Sequence, residues 1–82
     1  MNAAPPSENQ PDLTTPLADF SYEEALSQLE LIVDILESNN QTLAQSMLFF
    51  QRGQELAKYC ASLLDQAELK IKQLSGESIT DL

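Results

Sequence analysis

Histidine and tryptophan are absent from this 82-residue chain, cysteine occurs once, glycine twice, and lysine and arginine together only four times. Each scarcity excludes something. One cysteine, Cys60, cannot close an internal disulfide, and one thiol without histidine cannot build a zinc cage. Nucleic acid is held mainly by basic side chains neutralising phosphates. Here Arg52, Lys58, Lys70 and Lys72 are set against 13 acidic residues, for a net charge of −9. Direct DNA or RNA binding by this chain is therefore unfavoured, and so is binding to an anionic membrane. No apolar run is long enough to span a bilayer, and the first residues lack the charged start and apolar core of a signal peptide. Cytoplasmic residence is the expectation. Glycine-rich phosphate loops and nucleophiles with a neighbouring base are also missing. Catalytic, cofactor-binding and metal-ligating residues are accordingly expected to be none.

The four prolines all fall within the first 18 residues, among Ser7, Asn9, Gln10, Thr14 and Thr15. Such a stretch carries little apolar surface to offset the entropy of ordering it. Residues 1–18 are read as a disordered N-terminal tail, 19–75 as the folded domain and 76–82 as a short C-terminal tail. A core of that size is marginal without disulfide or metal, which points to partner chains as a source of stability.

What is present is helical. Ser21 and Glu24 have capping-box spacing, and Tyr22, Ala25, Leu29, Ile32 and Leu36 then recur in steps of three and four. The run predicts a helix over about 22–38. Ser38, Asn39, Asn40 and Gln41 break the pattern, with asparagine suited to the left-handed helix stop. Thr42 and Gln45 repeat the capping-box spacing, and a second helix is predicted over about 43–74. One seam on it reads Leu43, Met47, Phe50, Gly53, Ala57, Cys60, Leu64, Ala67, Ile71, Leu74. A second stripe, Phe49, Leu56 and Leu63, repeats every seven residues beside it.

A four-residue connection folds two such helices into an antiparallel hairpin. The fold class expected is all-α: a two-helix hairpin with a longer second helix, associating with partner chains as a coiled coil or helical bundle. Folding about the turn places Val33 near Met47, Leu29 near Phe50, Leu26 near Gly53 and Tyr22 near Ala57. The hairpin-packing set is then Leu26, Leu29, Val33, Leu36, Met47, Phe50 and Gly53. Glycine inside a helix costs roughly 1 kcal/mol against alanine, so Gly53 is read as a point of close approach. Beyond Tyr22 the second helix has no intramolecular neighbour, and its end from about Cys60 would carry apolar residues into water. At about 25 cal/mol per Å² that exposure forfeits several kcal/mol, and large exposed apolar patches mark interaction sites. The partner-interface set is Phe49, Leu56, Cys60, Leu63, Leu64, Ala67, Ile71 and Leu74. Cys60, inside a seam, reads as a small buried hydrophobe, and Glu23, Glu30 and Glu37 as a solvated face. Arg52 is read as solvent-exposed or paired with an acidic group of a partner.

Tyr22 to Glu37 reads Y-E-E-A-L-S-Q-L-E-L-I-V-D-I-L-E. It resembles the F-E-x-A-L-x-x-L-E-x-I-V-x-x-L-E opening of the exodeoxyribonuclease VII small subunit family. Ser46-Met47 through Phe50-Gln51-Arg52-Gly53 is similar to that family's S-L-x-x-[YF]-E-x-G segment. Leu56, Cys60, Leu64, Ala67 and Glu68 fall on its L-x-x-x-C-x-x-x-L-x-x-A-E pattern. Asn39, Gln41 and Thr42 depart from the family's usual turn, and Ala44, Gln45 and Gln51 from its usual acidic positions. The resemblance implies a non-catalytic subunit of a holoenzyme that degrades single-stranded DNA to oligonucleotides. Its partners would be a large catalytic subunit, bound through helical contacts, and other copies of the small subunit. The residue patterns alone equally fit a generic helical adaptor, a self-associating coiled coil or a small helical chaperone.

Overall fold

The computed structural model describes residues 10–76. The N-terminal reading for residues 1–9 and the C-terminal one for 77–82 lie outside the described residues. Among the described residues two α-helices carry the fold, α1 at Tyr22–Ser38 and α2 at Leu43–Ser75, preceded by one 3-10 turn at Leu17–Asp19. They pack against each other as a hairpin with a longer second helix. Among the described residues no helix is long and apolar enough to cross a membrane.

The helix ends follow from local hydrogen bonding. Ser21 Oγ accepts from the Glu24 N–H at 3.1 Å, and Glu24 Oε1 accepts from the Ser21 N–H at 2.9 Å. Thr42 and Gln45 repeat the exchange at 3.1 and 3.3 Å. Each box satisfies N–H groups that the first turn leaves without helical partners. Asn39 ends α1 in the left-handed conformation (φ 60°, ψ 31°), and Gly76 ends α2 in the same region (φ 70°, ψ 12°).

The core is small: Ala25 and Ile32 from α1, and Leu56 and Cys60 from α2, are buried. Leu26, Leu29, Leu36, Phe49 and Tyr59 pack around them half-buried. Gly53 is buried where the helices meet. A Cβ at that position would stand 3.2 Å from Ile32 Cγ2 and 3.8 Å from Leu29 Cδ1, so the glycine is a socket for the Ile32 side chain.

This arrangement corrects the expected rotation of α2. Phe49, Gly53, Leu56 and Cys60 face α1, whereas Val33, Met47 and Phe50 are 43%, 63% and 57% exposed. The expected pairings of Val33 with Met47 and Leu29 with Phe50 are therefore not the buried contact. Phe49, Leu56 and Cys60, expected on the partner side, belong to the chain's own core. The physical reason is size. The buried stripe takes Gly53 and Cys60 from the first seam and Phe49 and Leu56 from the second, and the small residues let the helices approach until Ile32 fills the space between them. Leu43, Met47 and Phe50, the bulky members of the first seam, turn away from that contact.

A second difference lies before α1. The expected tail extends to residue 18, yet residues 12–20 lie against the hairpin. Leu17 and Phe20 pack on the core, and the Tyr59 hydroxyl donates to the Phe20 carbonyl at 2.9 Å. Two apolar side chains and several hydrogen bonds offset the ordering entropy that composition alone leaves uncompensated.

Candidate partner-binding face

On α2 the residues Leu43, Phe50, Ala57, Leu64 and Ile71 are spaced by seven, and all five are exposed. At about 100° of rotation per residue this row lies roughly a quarter-turn from the buried stripe. The same rule puts Leu26 and Val33 of α1 on the matching side. Together they border an open apolar groove running beside the line of helix contact. At the turn end it widens into a depression lined by Leu36, Ala44, Met47 and Phe50.

Beyond Cys60, α2 outruns α1, and the face continues without intramolecular cover. Leu63 is half-buried; Leu64, Ala67, Ile71 and Leu74 are exposed, Leu74 at 80%. The uncovered length thus begins past Cys60 rather than at it. Of the residues expected at a partner interface, Leu63, Leu64, Ala67, Ile71 and Leu74 are brought together on this length. From the hairpin set, Val33, Met47 and Phe50 join the open face.

The charges are divided between the helices. α1 carries Glu23, Glu24, Glu30, Asp34 and Glu37 with no basic residue, while α2 carries all four basic residues beside Glu55, Asp65 and Glu68. The acidic side chains of α1 are exposed. Among the described residues no group of three or more His, Cys, Asp or Glu side chains is placed to hold a metal ion. Burial raises the Cys60 thiol above its ordinary pKa, so it stays protonated and behaves as a small apolar side chain.

Arg52 has a role that the sequence reading missed. Its Nε donates to the Asp12 carbonyl at 3.2 Å and its Nη2 to the Thr15 carbonyl at 2.7 Å. Its guanidinium carbon stands 5.9 Å from the centre of the Phe20 ring. The acceptors are backbone carbonyls 37 and 40 residues away, which leave no side-chain pattern to find.

A two-helix hairpin with an uncovered apolar groove and an apolar overhang has the build of an interaction module. The model of the exonuclease VII small subunit family matches residues 22–73, almost the whole of both helices. Similar curated proteins are each called "Exodeoxyribonuclease 7 small subunit". That of Polaromonas naphthalenivorans is 38% identical over 96% of this chain and 85% of its own length. That of Ralstonia pickettii is 35% identical over 99% and 82%, and that of Symbiobacterium thermophilum 45% identical over 68% and 76%. No solved structure gives a significant match. This chain belongs to the exonuclease VII small subunit family.

Proposed function

We propose that this chain is the non-catalytic small subunit of an exodeoxyribonuclease VII-type enzyme. It binds the large catalytic subunit and supports degradation of single-stranded DNA to oligonucleotides in the cytoplasm. The observation that carries this reading is the open apolar face in a chain of this family. Val33, Met47, Phe50 and Leu64, continued by Ile71 and Leu74, form a strip suited to a partner helix. Helix packing on that strip would bury apolar surface that the isolated chain leaves wet, at about 25 cal/mol per Å². Other copies of the small subunit can use the overhang in the same way, through Leu63, Ala67 and Leu74.

The test is co-expression of the tagged chain with the large subunit from the same source, followed by an assay on single-stranded DNA. Co-purification, with degradation by the complex and none by this chain alone, supports the reading. Failure to associate returns the chain to the class of helical adaptors. A Phe50→Asp/Leu64→Asp double variant should keep its helical content and lose the large subunit.

A further inference from the structure

Two grooves flank the contact line of any two-helix hairpin, and here they differ. One is the open apolar groove beside Val33 and Phe50. Gln28, Arg52 and Tyr59 lie on the opposite side of the contact line by the same helical rotation. These three residues hold the segment Asp12–Phe20.

The fastening is mostly polar and is built around one carboxylate. Asp12 Oδ1 accepts from the N–H groups of Thr14 and Thr15 at 2.8 and 3.0 Å and from the Thr14 hydroxyl at 3.1 Å. Asp12 Oδ2 accepts from the Thr15 hydroxyl. The tight turn that results presents the carbonyls of Asp12 and Thr15 to one guanidinium, that of Arg52. Further along, the Asp12 N–H donates to Gln28 Oε1 at 2.6 Å, and Tyr59 reaches the Phe20 carbonyl.

We propose that Asp12–Phe20 is a clasp that fills one groove and makes the hairpin a one-sided helix binder, with Arg52 and Tyr59 selecting against a helix on the clasped side. The selection follows from hydrogen-bond supply. Arg52 and Tyr59 make three hydrogen bonds to the clasp, and all three end on backbone carbonyls of irregular chain. A helix spends its interior carbonyls on its own N–H groups. A helix entering this groove would displace the clasp and leave those donors without acceptors in a half-buried position, which is costly. The clasp satisfies the donors and covers the groove at once. The open groove is bordered by Val33, Phe50 and Leu64, and the polar side chains at its turn end, Ser46, Gln51 and Gln54, are uncharged and stand beside an open depression.

The inference concerns this chain alone, so its failure would leave the assignment to the nuclease untouched. The test compares the full chain with an Arg52→Met/Tyr59→Phe variant, which keeps side-chain bulk and removes the donors of all three bonds. Amide hydrogen exchange follows Thr14, Thr15, Asp19 and Phe20, and sedimentation velocity follows mass. In the parent chain these amides should exchange more slowly than in an unstructured peptide. In the variant their protection should fall at least about tenfold, α2 around Leu56 should stay protected, and the mass should rise as helices of further copies enter the freed groove. Unchanged protection would overturn the role of Arg52 and Tyr59. Lost protection at unchanged mass would reduce the clasp to a passive covering and overturn the selection. Should circular dichroism show the double variant unfolded, Arg52→Lys and Tyr59→Phe singly decide the matter. Each removes part of the fastening, and partial loss of protection with a rise in mass is then the result required.

Discussion

Gly53 sets the distance between the helices through what it lacks. Alanine there would regain about 1 kcal/mol of helix propensity, yet its Cβ would press on a buried Ile32 methyl at 3.2 Å. The two effects oppose each other, so Gly53→Ala should leave stability within about 1 kcal/mol of the parent. Gly53→Leu has no room and should cost roughly 2 kcal/mol or more by overpacking. Chemical denaturation of both variants checks the contrast. At Asp12 the prediction concerns pH. The Thr15 hydroxyl, followed by the N–H groups of Thr14 and Thr15, holds its carboxyl below the ordinary range. A depressed folded pKa means that the turn's contribution is present above the unfolded value of about 3.9 and is lost only as pH falls further, toward the folded value. At pH 4 a free aspartate is about half protonated, and Asp12 should remain ionised, as read from its carboxyl carbon shift by NMR. Arg52 shows where sequence reading stops. Its type and position are visible, but its partners are carbonyls that any residue carries.

At the scale of elements, helix existence and ends were legible because they are local. The Ser21/Glu24 and Thr42/Gln45 exchanges span three residues, and Asn39 marks its stop by its own tolerance of positive φ. Asn39→Gly should raise stability by a few tenths of a kcal/mol or more, because glycine adopts φ near 60° without a Cβ penalty. Thr42→Ala should lower it by about 1 kcal/mol through loss of the cap. Thermal melts followed by circular dichroism resolve both. The rotation of α2 was not legible, because two stripes of similar hydrophobicity run side by side and periodicity ranks them equally. The buried contact draws Phe49 and Leu56 from one stripe and Gly53 and Cys60 from the other, a mixture that follows only once Ile32 is known to face Gly53. The clasp escaped for a related reason: four prolines and many polar residues argue for disorder until Arg52, Gln28 and Tyr59 supply long-range partners.

For the whole molecule, core and open face can be separated by mutation. Leu56 is fully buried and makes contacts within the chain, so Leu56→Asp should unfold the hairpin and abolish assembly only as a consequence. Phe50→Asp/Leu64→Asp places charges in water in the free chain and should spare the fold while breaking the complex. Circular dichroism and co-purification, run on both, should give opposite patterns of helical content and the same loss of partner. A net charge of −9 leaves the isolated chain unsuited to phosphate backbones. No retardation of a single-stranded oligonucleotide by this chain alone is expected in a gel-shift assay, even at low salt.

The overhang of α2 has one more consequence, in the currency of proteolysis. Trypsin needs an accessible Lys or Arg on a segment that can open. Arg52 is tied to the clasp and Lys58, though exposed, lies on the length of α2 held by the core through Leu56 and Cys60, but Lys70 and Lys72 stand on the stretch where α2 has no neighbour. Helix ends open most readily where few apolar contacts hold them. The free subunit should therefore be clipped first at its far end, leaving a shortened hairpin. A partner seated on Leu64, Ile71 and Leu74 should slow that cut, so the cleavage pattern would report assembly without any label.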